Sequence, residues 1–306
     1  MKRGRLIIIK RTFYLALVLL CLIHSRERTV SNNLKRGTRE HIIFTSFACR
    51  NRVCSPLKEA IERNTLAALK SLSPNCKYID IPITEGMCNA YGLPKIASLF
   101  QVAISREPHA ASYTYVNSDI LLSHDFVETV DFISSKVVNF FIVGARTNVW
   151  WNTSIDINKF DEIFLEGETM SDDAQDYFVV SRNSIQWSEI PAFVIARPAY
   201  DNWLVDHAYH SSKTILIDAS ATIRAIHQTD ENGNMAHGMQ GRTRSDADPD
   251  YAYNKHIGSG QWDHGWLRFA PYRTFRGADH CMRLKARSFT RRARLWLLPR
   301  SETASS

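Results

Sequence analysis

The 306-residue sequence has no internal repeat and no low-complexity tract, and no stretch rich in glycine, proline and serine divides it. Repeat architectures are therefore excluded. The simpler prediction is one folded domain spanning about residues 41–282. A hydrophobic fraction of 44%, with 11% aromatic residues, is ample for a packed core, which excludes wholesale disorder.

The body of the chain also lacks a surplus of positive charge, although the net charge of the whole sequence is +7. Residues 1–28 carry a net +6 and residues 283–306 another +6, so the part between them is mildly acidic at −5. This charge distribution does not indicate a basic surface that would contact the phosphates of a nucleic acid, and we expect no nucleic-acid partner. The basic C-terminal tail, 283–306, is interpreted as a solvated charge run, with an amphipathic surface helix as the alternative.

Cysteine is scarce, and no pair has the spacing of a zinc site supported by a second pair. Outside the first apolar run the number is odd: Cys49, Cys54, Cys76, Cys88 and Cys281. Cys49 with Cys54, and Cys76 with Cys88, are spaced to close short loops, but spacing does not determine connectivity. This use of cysteine agrees with a body that faces an oxidising compartment.

No small-x-small cleavage site follows the apolar run 13–23 near the amino terminus, which favours an uncleaved anchor over a cleaved signal peptide. The run alone is shorter than the ~20 residues of a membrane span. Residues 6–9 add to the apolar length if the side chains of Lys10 and Arg11, which lie in between, extend to the membrane–water interface. Basic residues dominate before the run, so residues 1–28 are predicted to be a cytosolic tail and signal-anchor. Residues 29–40 would be a stem, and the remaining body would lie in the lumen.

Hydrophobic patterning predicts strands that alternate with helices. Strands are expected at 41–48, 77–82, 113–116 and 140–143, and the intervening segments are long enough for helical crossovers. The fold class is therefore α/β, with a mainly parallel central sheet flanked by helices. Further strands are expected at 177–180, 190–195 and 214–217, with a helix near 200–208. Residues 230–266 are expected to form an irregular, partly mobile loop.

The polar triplet Asn117-Ser118-Asp119 directly follows a short buried strand. Ligands of open α/β sheets bind beyond the carboxyl ends of strands, where this triplet is expected. A carboxylate there binds a hard divalent cation, which in turn holds a diphosphate. The alternative is an ordinary Asn/Asp turn that bonds to its own backbone.

Four features in this order resemble the GT-A-fold nucleotide-sugar glycosyltransferases over roughly residues 40–260. They are the first strand, the triplet at 117–119, Gln175-Asp176-Tyr177-Phe178 and Ala225-Ile226-His227-Gln228. The resemblance implies a GT-A-like domain in which a D-x-D-type triplet binds the metal and the nucleotide. It also implies a later acidic motif at the acceptor and a histidine that completes the metal shell.

Carried over to this sequence, the resemblance makes Asp119 the metal ligand and places Asn117 where the first acidic residue usually stands. Asn117 and Ser118 would contact the nucleotide-sugar. An amide brings no charge, so the metal needs a further ligand, and His227 is the candidate because imidazole with carboxylate suits Mn²⁺. The expected cofactor is Mn²⁺ or Mg²⁺. A structural histidine at a strand end is the alternative for His227.

The same resemblance makes Asp176 the base that takes the proton from the acceptor hydroxyl. The family motif usually has two adjacent acids, and here Gln175 replaces the first. Asp173 is a second candidate for the catalytic role, and Asp172 also competes. The alternative is that all three are solvated loop acids.

The segment 197–204 combines aromatic and polar side chains that suit a sugar acceptor. Tyr200 and Trp203 offer an aromatic floor, with Asp201 and Asn202 beside it, although Trp203 also fits a core stripe. Arg146, after the strand at 140–143, is expected at the rim of the site near phosphate. A surface salt bridge is its alternative.

The resulting hypothesis is a glycosyltransferase, of hexosyl or N-acetylhexosaminyl type, acting on a lumenal glycan, glycoprotein or glycolipid acceptor. It would be a single-pass protein of the secretory pathway, in the Golgi membrane. A non-catalytic carbohydrate-binding ectodomain is the main alternative. A nucleotidyltransferase is disfavoured because no glycine-rich phosphate loop follows the first strand and because an anchor would be out of place.

Overall fold

The computed structural model describes residues 39–50, 53–72, 74, 76–150, 155–229, 249–258 and 263–287. The described residues from Glu40 onward belong to one compact unit. The predicted signal-anchor, nearly all of the stem and most of the basic tail lie outside the described residues. Within them, no helix combines the length and the apolar character that a bilayer crossing requires.

Strands make up the centre of the described structure. They are β1 His41–Phe44, β2 Cys76–Tyr78, β3 Ser112–Val116, β4 Ile120–Leu122, β5 Phe140–Val143, β6 Thr147–Trp150, β7 Glu168–Thr169, β8 Tyr177–Ser181, β9 Ile215–Asp218, β10 Ala225–Thr229, β11 Tyr272–Arg276 and β12 Met282–Ala286.

Helices connect most of these strands. They are α1 Pro56–Ser71, α2 Ile96–Arg106, α3 Asp125–Lys136, α4 Phe160–Leu165, α5 Tyr200–His210 and α6 Tyr253–Ile257, together with single 3₁₀ turns such as Ala48–Arg50 and Leu267–Phe269. The start of α1 follows from local chemistry, because Ser55 Oγ accepts the backbone N–H of Lys58 at 3.2 Å and Pro56 occupies the first turn.

The strands form two sheets among the described residues. The central sheet has the order β12-β11-β9-β5-β8-β3-β1-β2, and only β8 and β12 run against the other six strands. The smaller sheet has the order β4-β10-β6-β7, with β6 parallel to β10 and the outer strands antiparallel to their neighbours.

Alternate side chains of each central strand enter opposite layers of the core. Ile42 and Phe44 of β1 pack in one layer with α2 and α5, whereas Ile43 packs in the other with α1 and α3. Helices therefore cover both faces of the sheet, as parallel strands require. The predicted α/β class, with a mainly parallel central sheet flanked by helices, is confirmed.

The strand predicted at 177–180 is β8, which is antiparallel to both β3 and β5; its direction was not predicted. Two expectations from the sequence differ from the structure. Residues 190–195 form no strand and make a single bridge between Val194 and Lys95. Instead the Asn254 side chain bonds both the N–H and the C=O of Val194, at 2.9 and 2.8 Å, and so replaces a neighbouring strand. Asn254 itself lies in α6, inside the stretch that was expected to be irregular.

A disulfide joins Cys49 to Cys54, and Cys76 and Cys88 are free thiols. Of the two short loops that the spacing allowed, only the first is therefore closed. The same loop is held to α1 by Glu62, whose carboxylate accepts the backbone N–H groups of Ala48 and Cys49 at 2.8 and 3.1 Å. Glu62 is 6% exposed, and these bonds offset the cost of burying its charge.

Gly265 provides a test of the packing around α5. A Cβ atom at this position would lie 2.1 Å from the backbone oxygen of Asn202, and backbone cannot swing aside. We expect Gly265→Ala to lower the free energy of unfolding by about 1–3 kcal/mol, measured by urea denaturation.

Gly86→Ala is the matched control, because its added Cβ would meet no atom within 4 Å. The control is expected to unfold like the wild type. Equal stability of all three proteins would show that the close approach of Gly265 to α5 does not exist in solution.

Candidate active site

The triplet at 117–119 is the turn that carries the chain from the central sheet to the smaller one. β3 ends at Val116 and β4 begins at Ile120, so the turn lies at the carboxyl end of a parallel strand. The register of the antiparallel neighbour places Tyr177 opposite Val116. As a result the backbone N–H of Asn117 donates to the carbonyl of Asp176 at 2.8 Å.

The carboxylate of Asp176 is bound by two protein groups, one on each oxygen. Asn117 Nδ2 donates to Oδ1 at 2.6 Å, and an Arg146 guanidinium nitrogen donates to Oδ2 at 2.5 Å. Asp176 is 8% exposed, so this pair is shielded from solvent. The structure thus brings three residues predicted for the site into direct contact, and it engages Asp176 in an ion pair.

Two buried tyrosine hydroxyls lie next to the Asn117 side chain of this ion-pair cluster. Tyr200 OH donates to Asn117 Oδ1 at 3.1 Å and is hydrogen-bonded to Tyr115. Burial raises the pKa of Tyr115 well above its usual value, and the charges of Asp119 and then Asp176 raise it further. Asp119 and Asp176 therefore both lie close enough to Tyr115 to act electrostatically on its hydroxyl.

Asp201, in the first turn of α5, has a strongly perturbed carboxyl group. Burial raises its pKa to about 7, and the negative charge of Asp176 adds to the effect. The backbone N–H of Asn202 and the charge of Arg146 act in the opposite direction. The raised pKa brings Asp201 closer to neutral pH than an ordinary aspartate, which suits a group that exchanges a proton with a bound molecule.

Asp119 and His227 lie close together at the edge of the smaller sheet, where Asp119 precedes β4 and His227 belongs to the neighbouring strand β10. His227 Nε2 lies 3.7 Å from Asp119 Oδ2, and the two residues are only 3% and 6% exposed. The register of β10 with β4 sets this meeting, since His227 pairs with Ile120. On its other side His227 Nδ1 is 3.0 Å from Asn148 Oδ1, in the strand β6. A hydrogen on Nδ1 would satisfy this amide oxygen and leave Nε2, the ring nitrogen nearer Asp119, available as a ligand.

This donor set fits a divalent cation. It offers one carboxylate oxygen and one imidazole nitrogen oriented from behind by an amide, and Mn²⁺ or Mg²⁺ takes its remaining ligands from water and phosphate oxygens. Lys58 adds an ammonium group at the same place. Its Nζ lies 4.0 Å from Asp119 Oδ2 and donates to Ser118 Oγ at 3.2 Å. The triplet is thus a negative centre with a positive side chain already beside it.

Other predicted residues have structural contacts of their own. Asn202 Nδ2 donates to the backbone oxygens of Asp173 and Gly265, at 2.9 and 3.0 Å, and so ties two loops to α5. Trp203 packs on Phe193 and stacks on His207, with ring centroids 4.9 and 5.0 Å away, so it lies in the core layer. These contacts give Asn202 and Trp203 structural roles, and their substrate-binding roles stay predictions.

The remaining loop acids differ from Asp176 in their surroundings. Asp173 accepts a hydrogen bond from the Ser171 hydroxyl. Asp172 forms a two-point ion pair with Arg268, at 2.5 and 2.6 Å, and this hydrogen-bonded partner lowers the pKa of the carboxyl. A carboxyl group with a lowered pKa is a weak base near neutral pH, so Asp172 is unsuited to proton abstraction.

Two residues of the site have no clear signal in the sequence. Lys58 is an ordinary helix lysine by pattern, spaced i,i+4 from Glu62, and only the docking of α1 brings it to Ser118. Asn148 lies in β6, a strand that becomes evident only when the smaller sheet is assembled.

Comparison with known proteins adds little to this geometry. No family model matches the sequence, and no curated protein matches it. Among solved structures, the chain is similar to a crystal structure of a glycosyltransferase involved in the glycosylation of the major capsid of PBCV-1. The TM-score is 0.37 and the identity 13%, over 66% of this chain and 99% of that chain. A likeness at this level establishes neither the family nor the activity.

The raised pKa of Asp201 makes a prediction about stability. The folded protein holds the Asp201 proton more tightly than the unfolded chain, whose carboxyl has a pKa near 3.8. This contribution to stability is present at low pH and is lost as the pH rises to about 7. Asp201→Asn removes the ionisation, so the variant should gain roughly 2 kcal/mol relative to the wild type between about pH 5 and about pH 8.

Urea unfolding of both proteins at the two pH values measures this change. A difference in unfolding free energy that is the same at both pH values would contradict the burial of the Asp201 carboxyl group.

Proposed function

We propose that the chain is a metal-assisted glycosyltransferase that moves a sugar from a nucleotide-diphosphate sugar to a hydroxyl group of a lumenal acceptor. The observation that carries the proposal is the arrangement of two different carboxyl groups around the buried Tyr115 and Tyr200. Asp119 faces an oriented imidazole, and Asp201 has a pKa of about 7. Such a transfer needs one carboxylate that binds a cation and a second carboxyl group that accepts a proton.

The donor would bind at the triplet. Asp119 and His227 would hold Mn²⁺ or Mg²⁺, which, when bound, neutralises the charge that develops on the leaving diphosphate. Lys58 Nζ, beside Ser118 and Asp119, adds a fixed positive charge at the same position. Arg146 remains paired with Asp176, so its contribution to phosphate binding is the orientation of the Asn117 turn, rather than a direct contact.

Asp201 is the better candidate for the general base. Both oxygens of Asp176 are already hydrogen-bonded to protein donors, Asn117 and Arg146, so this carboxylate is engaged within the protein. Asp201 lies at the start of α5, and burial raises the pKa of its carboxyl to about 7. Asp176, first predicted as the base, becomes a positioning residue in this proposal.

The reaction would be a single displacement. The acceptor oxygen forms a bond to the anomeric carbon as the bond from that carbon to the diphosphate breaks, and the diphosphate leaves with the bonding electron pair. The hydroxyl proton passes to the Asp201 carboxylate. The acceptor is a glycan, a glycoprotein or a glycolipid in this proposal, and the transferred sugar a hexose or an N-acetylhexosamine.

The proposed location is the lumenal side of a secretory-pathway membrane, with the Golgi as the expected compartment. The disulfide between Cys49 and Cys54 supports an oxidising environment. The signal-anchor predicted in residues 1–28 would hold the protein to the membrane, with the chain's amino terminus in the cytosol.

Substitution of Asp119 tests the donor site. A panel of UDP- and GDP-sugars is offered to the purified protein with Mn²⁺, and binding and hydrolysis are measured. We expect Asp119→Ala to weaken metal-dependent donor binding at least about tenfold, because the carboxylate that holds the cation is removed.

Asp279→Ala is the control. Asp279 is an exposed acid in the turn of the β11–β12 hairpin, and its partner Arg283 lies in β12. This variant should bind donors like the wild type. Equal donor binding by Asp119→Ala and the wild type would refute the donor site. If the wild type binds donors but neither hydrolyses them nor transfers the sugar, at every pH and with every acceptor tested, the carbohydrate-binding alternative is supported.

Substitution of Asp201 tests the base. Wild-type kcat/KM should rise with pH and level off above about 7, because the ionised carboxylate is the active form. Asp201→Asn should lower kcat by about 100-fold or more and leave donor binding intact. Asp173→Asn, in a neighbouring loop, is the matched control and should keep most of the activity. Full activity of Asp201→Asn would remove Asp201 from the mechanism.

A further inference from the structure

A second cluster of metal-binding side chain types lies at the opposite end of α5 from Asp201. Asp206 and His210 are one helical turn apart on α5, and His264 comes from the segment before β11. Asp206 Oδ1 is 3.7 Å from His210 Nε2 and 3.2 Å from His264 Nδ1. One potential ligand atom from each of the three residues lies within 4.8 Å of the other two.

The two separations from Asp206 are close to those of a tetrahedral metal site. Bonds of about 2.0–2.1 Å from a zinc ion to nitrogen and oxygen place neighbouring ligand atoms about 3.3–3.4 Å apart. The two measured separations, 3.2 and 3.7 Å, lie on either side of that value. Closing the larger one requires only a small rotation of the His210 side chain, which is on the surface.

The surroundings hold two of the three side chains in place. The backbone N–H of His264 donates to Asp206 Oδ1 at 2.9 Å. The His264 ring stacks on Tyr209, with centroids 5.2 Å apart, and meets the edge of Phe269 at 5.3 Å. Orientation of ligands by such outer contacts is a general feature of metal sites. The His210 side chain is 42% exposed, whereas Asp206 and His264 are largely buried, so a fourth ligand position would be open to water.

We propose that Asp206, His210 and His264 bind a transition-metal ion of the Zn²⁺ class, with water as the fourth ligand. Two imidazoles and one carboxylate suit Zn²⁺ better than Mg²⁺ or Ca²⁺, which prefer oxygen ligands alone. The ion would tie the end of α5 to the segment 263–269. It would reinforce the bond that Asn202, in the first turn of the same helix, makes to the Gly265 carbonyl.

The proposal does not depend on glycosyl transfer. Its ligands are different from Asp119 and His227, the pair assigned to the donor cation, and the site is defined by metal binding alone. Loss of the metal ion would also change the structure around the segment 263–269, which contacts the loop of Asp172 through the ion pair with Arg268.

Metal titration of the full chain, without a histidine tag, tests the site. After chelation, the wild type should take up Zn²⁺ with a Kd of about 1 µM or below. Co²⁺ should give the visible absorption of a tetrahedral complex. His210→Ala and Asp206→Asn should each weaken Zn²⁺ binding at least about tenfold, and Zn²⁺ should raise the Tm of the wild type more than that of either variant.

Two controls separate this site from others. His109→Ala removes an exposed histidine elsewhere and should bind Zn²⁺ like the wild type. Asp119→Ala should also keep this Zn²⁺, whatever its effect on donor binding. Circular dichroism of the metal-free variants checks that they fold. Wild-type protein that binds no Zn²⁺ at about 100 µM, or binding that is unchanged in both ligand variants, would show an ordinary histidine–carboxylate contact only.

Discussion

The insertion of one antiparallel strand, β8, between β3 and β5 is the constraint on which the candidate site depends. Its register with β3 brings Asp176 beside Asn117, although the two residues are 59 positions apart in the chain. Its pairing with β5 joins the first half of the sheet to the second. Arg146, four residues after the last paired residue of β5, then reaches the same carboxylate. A shift of β8 by one residue would turn Asp176 to the other face of the sheet and separate these three groups.

Local patterns predicted most of the elements but not their arrangement. The strand Phe140–Val143 and the helix that begins after Ser55 are as predicted, because an apolar run and a helix cap act within a few residues. The direction of β8 and the existence of the smaller sheet depend on contacts between distant segments. Residues 190–195 have the composition of a buried strand, yet the side chain of Asn254 satisfies the backbone of Val194 in the middle of this segment. No periodicity in a single segment reveals such a partner.

The candidate site shows the same division. Asn117, Asp119 and His227 were predicted from short motifs, and the structure places Asp119 opposite His227. The relative merits of Asp176 and Asp201 were not predictable, because both are aspartates near aromatic residues in sequence. Their difference comes from three-dimensional neighbours. Asp176 has a guanidinium partner, whereas Asp201 has a burial cost and a nearby negative charge.

The length of α5 has a mechanical consequence. Asp201 lies in the first turn of this helix and His210 is its last residue, so about 14 Å of rigid rod separates them at 1.5 Å per residue. Rotation of a helix about its axis moves every side chain on it through the same angle. Contacts at the carboxyl end of α5 fix the rotation of the helix, and with it the direction of the Asp201 side chain. These contacts are the packed rings around His264 or a bound ion. The proton-exchanging carboxyl at one end of α5 is in this way coupled to the packing at the other end.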